Sequence, residues 1–279
     1  MKPLLSVVIA GICASALHVG AVQADEVKVA VAANFKGTIE RIGKEFTAKT
    51  GHTLAISSAA TGVLYTQISH GAPFDLFLSA DVKTPQKLEQ EGKGSERFTY
   101  AIGQLGLWKK GGPAPDEATL RNWKGNLAIA NPKTAPYGTA AMAALDHLKI
   151  DPKQYRLLTG TNIGQTWQFV DTGNAELGFV AWANLVEAGK TGEAWAVPAD
   201  LYPPIEQQGL VLKKGAAVEA LVAWLKGRVR HRSRLRAMHC RSDDMADLLT
   251  VGWPSGRPAC AMKERFLWFS ASTREEGDE

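Results

Sequence analysis

Apolar positions along this chain change period in a regular way. From Val27 to Ala32 apolar and small residues make a short run of strand character, and Phe35, Ile39, Ile42 and Phe46 then recur at helical spacing until Thr50-Gly51. The pattern returns with Thr53 to Ser57 as strand, Ser58 to Gly62 as a small-residue turn and Val63 to Ser69 as helix, closed by Gly71 and Pro73. A third unit runs from Asp75 to Ser79 and then from Pro85 to Gln90, where Pro85 suits a first helical turn. Strands alternating with short helices predict a mostly parallel sheet with helices on both faces.

Arg97 to Lys109 breaks this rhythm. Phe98, Tyr100 and Ile102, then Leu105 and Leu107, alternate over one long extended span, which reads as a crossing from one lobe to another. Strand-helix units resume after the loop Gly111 to Asp116: Leu127 to Ala130 before a helix Thr139 to Leu148, Arg156 to Leu158 before one near Gln165 to Val170, and Leu177 to Val180 before Trp182 to Glu187. Ile205 to Lys213 reads as a second extended crossing. The helix Ala217 to Lys226, with Val218, Leu221, Val222 and Leu225 on one face, would return to the first lobe. The expected class is therefore α/β, two lobes of parallel sheet with helices on both faces, joined by two extended crossovers. The expected boundaries are 25–103 with 213–227 for lobe 1 and 104–212 for lobe 2.

Composition alters this picture at both ends. Residues 1–24 read as an export signal: Lys2 is a short positive start, Leu4 to Val22 an apolar run, and Val22-Gln23-Ala24 a cleavage site, so a periplasmic protein cleaved after Ala24 is expected. Cys13 follows the bulky Ile12, which argues against a lipid anchor at that cysteine. Cys240 and Cys260 both lie beyond residue 227, so no disulfide framework holds the body. The body from Asp25 to Gly227 carries 21 Lys+Arg against 20 Asp+Glu, close to neutral although the whole chain is +4. A near-neutral body lacks the clustered cations of a nucleic-acid surface, and no nucleic-acid partner is expected.

In two-lobed sheets of this class ligands settle at the carboxyl ends of strands, where the next helices begin. The four relevant turns are Ala32-Ala33-Asn34, Ser58-Ala59-Ala60-Thr61-Gly62, Ala135-Pro136-Tyr137-Gly138 and Thr161-Asn162-Ile163-Gly164, and none contains Lys, Arg, Asp, Glu or His. Each precedes a helix whose first main-chain N–H groups lack intrahelical acceptors and whose dipole favours negative charge. Hydrogen bonds to a charged group contribute about 1.5 to 3 kcal/mol each, so about six give roughly 9 to 18 kcal/mol before closure costs, enough for micromolar to nanomolar binding without a cation. A set of donors without carboxylates favours a fully ionised dianion over hydrogen phosphate, whose O–H needs an acceptor. Taken singly, Asn34, Ser58 and Thr61 are common helix caps, Tyr137 can cover a loop and Ile163 can fill a core; the repetition across four turns is the stronger signal.

Enzyme machinery is not in evidence. The chain has no Gly-x-x-x-x-Gly-Lys-Ser/Thr loop, no Gly-x-Ser-x-Gly turn and no dinucleotide-type Gly-x-Gly-x-x-Gly. His52, His70 and His147 stand singly, without metal-ligand spacing, and are expected on solvated surface. His231, His239 and Cys240 cluster in the tail.

At the four turns the sequence resembles the periplasmic molybdate-binding proteins of ABC importers, in the branch whose first loop ends in Asn-Phe. The matching segments include Ala33-Asn34-Phe35-Lys36-Gly37-Thr38, Gly71-Ala72-Pro73-Phe74-Asp75-Leu76-Phe77-Leu78-Ser79-Ala80-Asp81, Ala135-Pro136-Tyr137-Gly138 and Leu177-Gly178-Phe179-Val180, within about Val27 to Gly227. The resemblance implies a type II periplasmic binding fold, an oxyanion (molybdate or tungstate) held by Ala33, Asn34, Thr61, Tyr137 and Ile163, and no catalysis. It also implies no cofactor, no metal held as a bare cation, a membrane permease as partner, and a monomer. Ala33 offers only its N–H where relatives can have a hydroxyl, and Asp75 and Asp81 are read as structural. A sulfate or other oxyanion binding or sensing protein is the alternative, and a hydrolase a more remote one. The resemblance stops at Gly227: residues 228–279 open with Arg228-Val229-Arg230-His231-Arg232 and keep no steady period, which reads as a tail foreign to the fold arising from a change of reading frame, with a genuine basic extension touching membrane or nucleic acid as the alternative that the acidic end Glu275 to Glu279 weakens.

Overall fold

A computed structural model describes residues 24–227. The expected signal cleavage and the tail beyond Gly227 lie at or outside those bounds. Ten strands form two five-stranded sheets. The first takes β1 (Glu26–Ala32), β2 (Thr53–Ala59), β3 (Leu76–Leu78), β4 (Ser95–Gly103) and β10 (Ile205–Val211), in the order β2-β1-β3-β10-β4. The second takes β5 (Leu105–Trp108), β6 (Asn126–Ala130), β7 (Arg156–Gly160), β8 (Leu177–Ala181) and β9 (Ala194–Ala196), in the order β7-β6-β8-β5-β9.

The sheets are mostly parallel, as expected, with one reversed strand in each. β1 pairs in parallel with β2 and β3, and β6 with β7 and β8, but β10 runs antiparallel to β3 and β4, and β5 antiparallel to β8 and β9. The reversed strands are the two crossings themselves. A chain leaving one lobe enters the next sheet from the cleft side, against the direction of strands that end at the cleft. The first crossing therefore divides at Gln104 into β4 and β5, one in each sheet. The second is displaced from its expected place: Ile205–Val211 is a full strand of the first sheet, so 205–212 belongs to lobe 1 and the chain passes over at Pro203-Pro204.

Each sheet is covered on both faces because its strands alternate. Val27, Val29 and Val31 of β1 meet Ile39, Ile42 and Phe46 of α1 (Lys36–Thr50) and Val218, Leu221 and Leu225 of the helix over 216–227, here α8. Ala30 and Phe77 point the other way, toward Leu64 and Ile68 of α2 (Thr61–Ser69) and Leu88 of α3 (Lys83–Gln90). α1 stops at Gly51, whose φ of 79° suits a residue without Cβ. A short helix, α4 (Glu117–Arg121), precedes β6 and is closed by a reciprocal capping box between Asp116 and Thr119. In the second lobe Leu127 and Ile129 pack with Ala141, Ala144 and Leu145 of α5 (Pro136–His147). Ala128 and Val180 pack with Val170 of α6 (Ile163–Asp171) and Leu185 of α7 (Trp182–Glu187).

The second lobe's main core extends across the cleft to Ala32, Ala60 and Ala80 of the first. Three alanines at the ends of the first sheet thus form the floor on which the lobes meet. His52 corrects its expected surface position: it is 7 % exposed, its Nδ1 accepts the Asp25 N–H at 3.1 Å, and its ring stacks on Phe46.

Candidate oxyanion site between the lobes

Five helix starts or strand ends converge where the lobes touch. The cavity there is lined by Ala32, Ala33 and Asn34 after β1, Ala60 and Thr61 after β2, Ala80 after β3, Ala135, Pro136 and Tyr137 after β6, and Asn162 and Ile163 after β7. Every wall lies at the carboxyl end of a parallel strand. Ala33, Asn34, Thr61, Tyr137 and Ile163, the five residues singled out from the sequence, all line it. No lining residue is charged.

The caps explain why these helix starts face the cavity with open donors. The 3-10 turn Ala33–Phe35 has Ala32 at its N-cap, α2 has Ala60 and α5 has Ala135, and none receives a side-chain cap bond. Ser, Thr, Asp or Asn at these positions would fold back onto the first N–H groups. Alanine cannot, so the N–H groups of Ala33, Asn34, Thr61 and Tyr137 keep the freedom that helix geometry gives them. α6 differs: Asn162 caps it by accepting from the Gln165 N–H at 3.0 Å, while Gln165 Oε1 accepts from the Thr161 N–H at 2.6 Å. That cap uses the third N–H of the helix and leaves those of Ile163 and Gly164 without a side-chain acceptor. Asn34, Ser58 and Thr61 are therefore not helix caps. Ser58 is an exposed residue of β2 outside the cavity wall, and Thr61 Oγ1 accepts the Ala80 N–H at 3.1 Å, tying the second wall to the third.

The space enclosed is small, about 10 Å³ for centres of water-sized spheres. That is room for about one such sphere, against the several hundred Å³ of a site for an organic ligand. Gly138 keeps α5 close: a Cβ there would lie 2.1 Å from the Ala130 carbonyl oxygen, so a side chain would push the helix start off the strand end.

Contacts between the lobes draw their facing turns together around the cavity. The Gly62 N–H donates to the Thr134 carbonyl at 2.9 Å, and Asn184 Nδ2 donates to the Asn34 carbonyl at 3.3 Å. Further out, Glu187 Oε1 accepts from the Thr38 hydroxyl at 2.5 Å and pairs with Arg41 at 3.3 Å.

A buried polar network backs the cavity. Asn34 Nδ2 donates to Gln207 Oε1 at 2.9 Å, the Tyr100 hydroxyl lies 2.9 Å from the Ser79 carbonyl and 3.1 Å from Gln207 Oε1, and Gln207 Nε2 donates to the Tyr137 oxygen at 3.3 Å. Burial pushes the Tyr137 hydroxyl well above the ordinary tyrosine range, the neighbouring Tyr202 adds to this, and hydrogen bonds from Gln207 and Asn34 oppose it. Tyr137 therefore stays a neutral O–H at physiological pH. Gln207 was not found from the sequence, since it sits in the segment read as a linker, where nothing local distinguishes it. Asp75 and Asp81 secure loops: Asp75 accepts the Lys28 N–H, and Asp81 accepts from Ser79 and Thr84. Among the described residues no group of three His, Cys, Asp or Glu is placed to hold a metal ion, and no helix is long and apolar enough to cross a membrane.

The family profile described as bacterial extracellular solute-binding protein matches residues 27–230. The chain belongs to this family. It is 48 % identical over 218 residues to the molybdate-binding protein ModA of Azotobacter vinelandii, covering 74 % of this chain and 86 % of that one. It is 45 % identical over 209 residues to ModA of Rhodobacter capsulatus, covering 72 % and 82 %. The solved periplasmic molybdate-binding protein of Azotobacter vinelandii superposes with a TM-score of 0.67 at 39 % identity, over 72 % of this chain and 92 % of that one. The sulfate-binding protein SubI of Mycobacterium tuberculosis H37Rv, 12 % identical with a TM-score of 0.55, shares the family's two-lobed fold.

Proposed function

We propose that this protein is the exported, periplasmic binding component of an ABC importer and carries molybdate or tungstate to a membrane permease. The observation that carries the reading is the uncharged cage: five helix starts or strand ends around one small cavity, three of the helix starts capped by alanine so that their N–H groups stay open. The cage suits a compact, fully ionised dianion, which accepts at every oxygen and needs no acceptor from the protein. The close ModA relatives support the metal oxyanion within that class.

On this reading Ala33, Asn34, Thr61, Tyr137 and Ile163 are the binding residues, Ala33 through its N–H alone. The metal arrives already coordinated by oxygen, so the protein supplies hydrogen bonds and neither cofactor nor catalytic group. The protein acts as a monomer, exported by a signal cleaved after Ala24, and its partner is the permease rather than nucleic acid. Sulfate is the second reading, because the same donors suit any tetrahedral dianion and only cavity size separates the ions.

Calorimetric titration of the mature chain with molybdate, tungstate, sulfate and phosphate tests this. The expected result is submicromolar binding of the two metal oxyanions, sulfate weaker by at least about tenfold, and little heat with phosphate. Heat with none of the four would remove the reading, and sulfate as the tightest ligand would replace it with the second.

A further inference from the structure

Thr61 of the first lobe and Ala135 of the second line the cavity, and their chain neighbours Gly62 and Thr134 line an open groove just outside it. The two outer residues meet backbone to backbone across the cleft: the Gly62 N–H, in the first turn of α2, donates to the Thr134 carbonyl at 2.9 Å. This approach depends on Gly62 having no side chain. A Cβ there would stand 3.2 Å from Thr134 Cα and 3.3 Å from its carbonyl oxygen, tighter than ordinary van der Waals contact. Both obstructing atoms are main chain, so no change of rotamer clears them.

The turns that meet are stiff. On the first-lobe side the Val63 and Leu64 N–H groups both donate to the Ala60 carbonyl, and Thr61 Oγ1 accepts the Ala80 N–H. On the other side the Thr134 and Ala135 N–H groups both donate to the Asn131 carbonyl, the Asn131 N–H donates to the Gly160 carbonyl, and the Thr139 hydroxyl donates to the Pro132 carbonyl. The chain passes between the lobes at Gln104 and at Pro203-Pro204, and such short joints absorb rotation more readily than a bonded turn absorbs distortion. An added methyl at Gly62 is therefore relieved by the lobes standing further apart. Gly62 and Thr134 each lie one residue from the cavity wall, so the extra gap passes directly to the cavity. The cavity admits about one water-sized sphere, and a few tenths of an ångström is an appreciable part of its width.

We propose that Gly62 is a specificity-determining residue: it sets the closest approach of the two lobes and with it the size of oxyanion that the closed site grips. The inference rests on the oxyanion reading of the cavity and supplies the feature behind its size selection. Sulfate is the smaller tetrahedral dianion, because sulfur–oxygen bonds are shorter than molybdenum– or tungsten–oxygen bonds, and it needs the lobes nearest. Molybdate and tungstate, nearly equal in size, reach the same donors across a wider gap. A side chain at position 62 therefore penalises sulfate more than either metal oxyanion.

The test is titration calorimetry of the wild-type chain, Gly62→Ala and Gly62→Val with sulfate, molybdate and tungstate at fixed salt. Alanine and valine both favour a helix over glycine, and thermal melts verify that the variants fold. Gly62→Ala is expected to weaken sulfate about 10- to 30-fold and molybdate less than about threefold, so that the preference for molybdate over sulfate rises at least about threefold. Gly62→Val is expected to raise it further, with the molybdate-to-tungstate ratio staying within about twofold in both variants. An unchanged or reduced preference for molybdate over sulfate in the folded variants would show that Gly62 does not set the ion size and would overturn the proposal. A molybdate-to-tungstate shift as large as the shift against sulfate would overturn it equally, since size would not be the cause. If Gly62→Val does not melt cooperatively, Gly62→Ala decides alone. Absence of any oxyanion binding by the wild-type chain sinks the functional reading itself, whereas wild-type binding with unchanged ion ratios in the variants sinks only this inference.

Discussion

Alanine at a helix N-cap forfeits about 0.5 to 2 kcal/mol that Ser, Thr, Asn or Asp would contribute. Here Ala32, Ala60 and Ala135 all occupy that position at the walls of one cavity. The forgone cap is what leaves donors for an external anion. Replacing Ala60, only 4 % exposed, with Asp therefore sets a carboxylate in the place of the ligand's own charge. The Ala60→Asp protein is expected to lose oxyanion affinity by more than about 100-fold, since like charges at this range repel by several kcal/mol. Titration calorimetry reads this directly, and an unchanged affinity would show that the start of α2 does not face the ligand. The residue chemistry of the turns was legible before the structure, because a turn's donors are local to its own few residues. The caps were less so. Asn34, Ser58 and Thr61 looked like capping residues by type, but each helix begins so soon after its strand that an alanine falls at the cap instead.

At the level of elements, the amphipathic helices α1 and α8 and the strands β1, β2, β6 and β8 were readable from period alone. What the sequence concealed was membership. β10 has a half-alternating burial pattern over Ile205–Val211, which marks it as extended without saying which sheet receives it. Its antiparallel partners, β3 and β4, are distant in sequence, and Gln207 stayed hidden with it. α4 was missed although Asp116 and Thr119 form a capping box, because five residues carry too little period to show. α7 supplies the outer latch through Glu187, which accepts from Thr38 and pairs with Arg41 across the cleft. Arg41 is largely exposed, so the pair is screened and modest. Glu187→Gln is expected to weaken oxyanion binding about two- to fivefold at low salt and less at high salt. Titrations at two ionic strengths check it, and a salt-independent loss would assign Glu187 a packing role instead.

Over the whole molecule, the polar groups that back the cavity are neutral and buried, and this gives the fold a pH signature. Tyr100, Tyr137 and Tyr202 all have hydroxyls raised above the ordinary value of about 10, in each case with burial as the largest cause. Above about pH 10 the unfolded chain releases these protons while the folded chain keeps them, so the unfolded state binds fewer protons and stability falls as pH rises. Thermal melts are expected to be level with respect to these groups up to about pH 9.5 and to drop progressively above pH 10. Tyr137→Phe is expected to shrink the drop. A melting temperature unchanged from pH 9 to 11 would show that these hydroxyls ionise as readily in the folded state. The two-lobed plan was visible in the repeated strand-helix units and the long extended span near Tyr100. The closed fit of Ala32, Ala60 and Ala80 against the second lobe was not, since contact between lobes leaves no periodic trace in either.

The central claim is that an oxyanion sits on neutral helix-start donors with no cation beside it. An anomalous difference map from crystals grown with molybdate tests that claim at its point of application. The account predicts one molybdenum peak between the lobes, its oxygens within hydrogen-bond distance of N–H groups among Ala33, Asn34, Thr61, Tyr137 and Ile163. A peak elsewhere, or one whose oxygens are held by a lysine or arginine, would contradict it.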